Sequence, residues 1–141
     1  MKKTKKLVVG MVLCLMMVIF AGCGKNEEKD LWADAKYTED TEVGEGEKTV
    51  LVDVKMAEKS ITFTIHTDAS ILGEILLGNE LITGEDGPYG LYIKTVNGVQ
   101  ADYDKDQAYW AVYQDGEYLM SGVDSTEVSD GDHYEFVYTQ E

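Results

Sequence analysis

Arginine is missing from this sequence, proline occurs once and cysteine twice. Basic charge rests on 12 lysines alone, against 27 Asp and Glu, for a net charge of −15. A surface so poor in positive charge repels phosphate, which makes nucleic acid a poor partner. Long apolar runs are missing too. The longest, Leu7 to Phe20, has 14 residues, where about 20 are needed to cross a bilayer. No Gly-x-Ser-x-Gly elbow, phosphate-cradling loop or metal-ligand cluster occurs. Without a nucleophile motif, a metal set or a phosphate site, the residues point away from an enzyme.

What is present begins at the N-terminus. Lys2, Lys3, Lys5 and Lys6 precede the apolar run, and Phe20-Ala21-Gly22-Cys23 follows it. A basic stretch, a short apolar core and a small-residue cleavage site make an export signal. The tetrapeptide resembles the lipobox of bacterial lipoproteins, with Phe20 where that pattern usually carries Leu. The resemblance implies cleavage after Gly22 and a diacylglyceryl anchor on Cys23. Removal of residues 1–22 takes Cys14 with it, so the remaining cysteine has no intrachain partner. Two acyl chains hold a protein stably on a membrane. The expected location is therefore the extracytoplasmic face of the cell membrane, with lipid as the partner of Cys23.

From Cys23 onward eight lysines face 27 acids, a net charge of −19. That charge repels anionic lipid and wall polymers, so the folded part should stand off the membrane. Residues 23–47 read as an acidic, flexible tether, because they show no sustained apolar period. Extended, such a segment reaches roughly 80 Å at about 3.3 Å per residue. Leu31 and Trp32 form an apolar island within it, read as a loose pack against the domain.

Residues 48–141 read as one domain. Val50, Val52, Val54 and Met56 alternate with Leu51, Asp53 and Lys55, and Ile61, Phe63 and Ile65 with Thr62, Thr64 and His66. Period two is the strand signal, and Ala57 to Ser60 joins the two runs as a hairpin. His66 falls on the polar side. A short helix follows, with Asp68 or Ser70 as cap, Ile71, Leu72, Ile75 and Leu76 as its apolar stripe, and Gly78 at its end. Asn97-Gly98 and Asp115-Gly116 signal further hairpins, and Asp130-Gly131 a turn before the alternating Tyr134, Phe136 and Tyr138. The expected fold class is α+β: one short helix packed on a mixed sheet built from hairpins, in a β-grasp-like order.

Three pieces carry a second resemblance. They are Gly87-Pro88-Tyr89-Gly90-Leu91-Tyr92-Ile93-Lys94-Thr95-Val96-Asn97-Gly98, Tyr109-Trp110-Ala111-Val112-Tyr113, and Leu119-Met120-Ser121-Gly122-Val123 before the Asp130-Gly131-Asp132 turn. In this order they resemble the transcobalamin C-terminal-like domain, a β-grasp-like module of many Gram-positive lipoproteins and of animal cobalamin carriers. The resemblance spans about Lys48 to Thr139. It implies a corrinoid ligand held by the strand with the Trp and the strand with the Leu-x-x-Gly piece. Carried over by position, it nominates Trp110, Ala111, Leu119, Met120, Ser121 and Gly122, with Tyr89 and Tyr92 in the matching first segment. A flat macrocycle wants aromatic and aliphatic contact on its face, and backbone or hydroxyl partners at its amide rim. The animal carriers close the ligand in with a large helical domain that the resemblance does not extend to here, so this module alone would supply half of such a site.

Two other features carry less. Asp102, Asp104 and Asp106 mimic the start of a calcium loop, but Gln107 stands where Gly is needed and Tyr113 where Glu is needed. His133 follows Asp132 with no Ser or Cys tied to it by a motif. The reading is thus a membrane-anchored ligand-binding lipoprotein. It needs no cofactor of its own, carries cobalamin or another corrinoid as cargo, and passes it to a membrane importer. The alternative is a cell-surface module that uses the same aromatic face for protein or glycan.

Overall fold

The computed structural model describes residues 30–141; the export signal and Cys23 lie outside that range. Nine strands and three short helical segments follow a 3₁₀ turn at Leu31–Asp34. A six-stranded sheet has the order β1-β3-β2-β9-β7-β8. Its strands are β1 (Thr41–Gly44), β2 (Lys48–Met56), β3 (Lys59–Thr67), β7 (Ala108–Gln114), β8 (Glu117–Tyr118) and β9 (His133–Gln140). A three-stranded sheet holds β4 (Ile82–Gly87), β5 (Gly90–Val96) and β6 (Val99–Gln100). The helices are α1 (Leu72–Gly78) and the four-residue α2 (Tyr103–Asp106). This is a sheet-rich α+β fold.

The hairpin signals hold at the residue level. β2 and β3 pair antiparallel from Lys48↔Thr67 to Met56↔Lys59. Asn97 and Gly98 turn β5 into β6 with φ of 52° and 81°, and Asp115 and Gly116 turn β7 into β8 with φ of 51° and 84°. Two successive positive φ values match the twist of the flanking strands, which is why Asn-Gly and Asp-Gly serve here.

Several expectations differ from the structure. First, the strands do not form one sheet. β4, β5 and β6 separate because β5 pairs with β6 only at Thr95↔Gln100 and Val96↔Val99 and with no strand of the larger sheet. Second, the sheet is not built from hairpins alone: β1 runs parallel to β3, and β9 parallel to β2. Third, the tether expected over residues 23–47 is folded from Leu31 on. Leu31, Trp32, Tyr37 and Val43 pack on the core without regular spacing, and β1 joins the sheet edge. Edge pairing uses main-chain groups and leaves little trace in apolar periodicity. The cap of α1 also differs. Ile71 is its N-cap and makes no side-chain bond. Asp68 instead accepts from the Glu47 N–H, and Leu72 N–H donates to Thr126 O.

The two faces of the large sheet are unlike. Val50, Val52, Val54, Phe63, Ile65, Trp110, Tyr134 and Phe136 face the core, with Leu72, Ile75 and Leu76 of α1 in the same cluster. The opposite face carries polar pairs: Lys55 with Glu135 at 2.6 Å, His133 with Asp53 at 2.8 Å, and His66 with Glu42. The Glu135 hydrogen bond raises the Lys55 pKa. A sheet with one covered face and one solvated face gives this alternation.

Candidate functional site

β7 lies at the far side of the six-stranded sheet, and the two-residue β8 pairs with it only at Tyr113↔Tyr118 and Gln114↔Glu117. One further bond, Leu119 N–H to Val112 O at 2.8 Å, extends that ladder. The chain then leaves the strand, so Leu119 to Gly122 is loop where the sequence suggested strand. Between this loop, β7 and β5 lies a cleft of about 210 Å³. β5 lines it with Leu91, Tyr92 and Ile93, and β7 with Tyr109, Trp110 and Val112. Tyr118, Leu119, Ser121, Gly122 and Val123 complete the wall, and no charged residue takes part.

Strand alternation sorts the nominated residues. Trp110 pairs with Tyr138 on the core side. It is only 6% exposed. Its indole N–H donates to Val99 O at 3.1 Å, and its ring meets Tyr138 edge-on at 5.5 Å. Trp110 is therefore the cleft's floor, already engaged in the fold. Burial raises the Tyr138 pKa. Ala111 points to the other face, opposite Val137, and does not line the cleft. Leu119, Ser121, Gly122 and Tyr92 do line it. The Ser121 hydroxyl shares a 3.1 Å hydrogen bond with Thr126 Oγ1.

Tyr89 and Met120 stand outside the lining, 95% and 90% exposed. They flank the mouth by position: Tyr89 O lies 3.4 Å from where a Cβ on Gly122 would sit. Met120 borders a second hollow of about 320 Å³ that shares Tyr118 and Leu119 with the cleft. The nomination missed Leu91, Ile93, Tyr109, Val112, Tyr118 and Val123. Leu91 and Ile93 alternate within the Gly87 to Gly98 segment, and Tyr109 and Val112 lie on either side of Trp110 in the Tyr109 to Tyr113 segment, so both pieces contain them. Their convergence depends on the gap between the two sheets.

This arrangement suits a flat, largely apolar body laid against the lip, with Tyr and Leu contact and a hydroxyl at one side. Pockets that enclose a small molecule run to about 300–1,000 Å³, so this cleft grips an edge or one face and encloses nothing large.

Comparison with known proteins places the fold. Residues 69–140 match the family model described as a domain of unknown function, DUF4430. The chain belongs to that family. The matched DUF4430 segment starts after β3 and contains every residue that lines the cleft. A protein of proposed metal-binding function from Ruminococcus gnavus ATCC 29149, known from a crystal structure, is 38% identical. The similarity covers 67% of this chain and 99% of that one, with a TM-score of 0.64. Haptocorrin, solved in complex with Cbi, shares the fold at 23% identity and a TM-score of 0.55. There the match covers 66% of this chain and 25% of haptocorrin. Comparison with curated proteins finds no match.

Proposed function

We propose that this DUF4430 protein is a lipid-anchored, extracytoplasmic binding protein whose cleft between β5 and β7 holds one face of a corrinoid for uptake. The observation that carries this reading is the uncharged aromatic and aliphatic cleft on the strands the transcobalamin-like resemblance nominates. The haptocorrin fold, solved with Cbi, supports it. A β-grasp-like arrangement, the Cys23 anchor and hand-over to a membrane importer belong to the same proposal. The cleft's small volume makes it half of a site. Affinity is then modest alone and rises when a partner covers the other face, because only part of the ligand's apolar area is buried. The metal-binding role proposed for the R. gnavus protein is that protein's own.

Calorimetric titration of the detergent-solubilised protein with cyanocobalamin and Cbi, with haem as the control macrocycle, tests the ligand. Saturable corrinoid binding supports capture; none at high micromolar concentration contradicts it. Cys23→Ser tests the anchor, which predicts transfer of the protein from the membrane to the soluble fraction. One observation favours a second reading: Tyr89 and Met120 are almost wholly exposed, as aromatic and Met side chains at protein interfaces are before a partner docks. On that reading the same lip binds a protein or glycan.

A further inference from the structure

The cleft has no charged lining, yet one carboxylate stands at its lip. Asp124 lies in the 3₁₀ turn Val123–Ser125, directly after the lining residues Gly122 and Val123. Its backbone is held in place. Ser125 N–H and Thr126 Oγ1 both donate to Gly122 O, at 3.1 and 2.8 Å. From below, α1 approaches so closely that a Cβ on Gly73 would come within 3.1 Å of the Asp124 Cα. The side chain is exposed, and among the described residues it takes part in no hydrogen bond or ion pair.

Its surroundings are shaped around it. A Cβ on Gly90 would meet Asp124 Oδ1 at 2.7 Å, and one on Gly122 would meet the same oxygen at 2.6 Å. The carboxylate therefore fills the space between the start of β5 and the loop after β8. The absence of side chains at Gly90 and Gly122 leaves it room there. Gly122 has φ of −66°, a value open to any residue, so space and not backbone conformation favours glycine at that position.

An unpaired carboxylate on a held backbone, beside an uncharged aromatic cleft, discriminates by charge. It accepts hydrogen bonds from N–H donors at a ligand's edge, and it repels a carboxylate brought to the same place. We propose that Asp124 sets the charge class of the ligand: neutral or cationic, with amide or amine N–H groups at the rim, and not one that presents carboxylates. This rests on the proposal that the cleft binds a flat macrocycle, and adds the residue that selects among such ligands.

The test compares cyanocobalamin with the monocarboxylic acids made from it by hydrolysing one side-chain amide, titrated into the full chain. The ring is unchanged and only the rim differs. Two like charges about 4 Å apart in a water-like medium interact by roughly 1 kcal/mol, or about fivefold in affinity. The wild type should prefer the amide by about that factor for the hydrolysed position nearest Asp124. Asp124→Asn should bring the ratio near one, Asp124→Glu should restore part of it, and added salt should erode it in the wild type alone. Unchanged melting of both variants separates this from loss of fold. Equal discrimination by wild type and Asp124→Asn overturns the role of Asp124 and leaves the binding site standing. Failure of the wild type to bind cyanocobalamin at all overturns both.

Discussion

The seam between β5 and β7 is closed at one end and open at the other. At the closed end Val96, Val99, Ala101, Ala108 and Trp110 are buried. Asn97, fully buried, holds the incoming chain there. Its side chain accepts from Tyr37 N–H and donates to Tyr37 O, each at 2.8 Å, its own N–H donates to Leu81 O, and its carbonyl accepts from Lys36 N–H. At the open end Tyr89, Tyr118 and Met120 face solvent. The turn after β5 thus pairs its buried amide fully, while the loops at the other end of the seam leave aromatic and Met surface to solvent. Stability is concentrated at the closed end and in Trp110 beneath the cleft, while the exposed side chains at the mouth contribute little to the fold.

Substitutions at the closed end should cost the most. Trp110→Ala removes a large core side chain and leaves Val99 O without its indole donor; a loss of about 3–5 kcal/mol in chemical denaturation is expected. Asn97→Ala strips both side-chain bonds from Tyr37 and should cost about 2–3 kcal/mol in the same measurement. Asn97→Asp should be nearly as harmful, because a carboxylate cannot donate to Tyr37 O.

Alkaline pH should loosen the core next. Burial, together with the hydrogen bond from its hydroxyl to Asp132, raises the Tyr134 pKa well above its usual value. Lys55 is raised as well, chiefly by Glu135. A raised folded-state pKa gives stability that is fully present below the unfolded value and lost as pH climbs through the folded one. Melting temperature should therefore fall above about pH 10, where unfolded Tyr and Lys begin to lose their protons. Tyr134→Phe should flatten that fall and cost about 1 kcal/mol at neutral pH for the lost hydrogen bond.

The open end should respond least in stability. Tyr89→Ala and Met120→Ala should each shift it by no more than about 0.5 kcal/mol. If either unfolded the protein, the division of labour between the two ends would fail.

How much of this could be read from the residues follows the same division. Strands β2, β3, β7 and β9 of the large sheet, α1 and the turns Asn97-Gly98 and Asp115-Gly116 were legible, since each rests on local periodicity or turn chemistry. The folding of Leu31 to Gly44 was not, because β1 gains its place by edge pairing and Tyr37 by the side chain of a residue 60 positions away. The strands that line the cleft were named by resemblance, but the facing of β7 was not. Ala111 and Trp110 are adjacent, and only pairing with β9 decides which turns inward. Asp124 gave no signal at all. Its position matters through the space left by Gly90 and Gly122, which come together only in the fold.

Amide hydrogen exchange of the whole protein, with and without saturating cyanocobalamin, would show whether the cleft is where a corrinoid sits. New protection is expected in Tyr89 to Ile93 and Leu119 to Val123, with β2 and β3 unchanged. Protection confined to the polar face of the large sheet, or none anywhere, would contradict that placement.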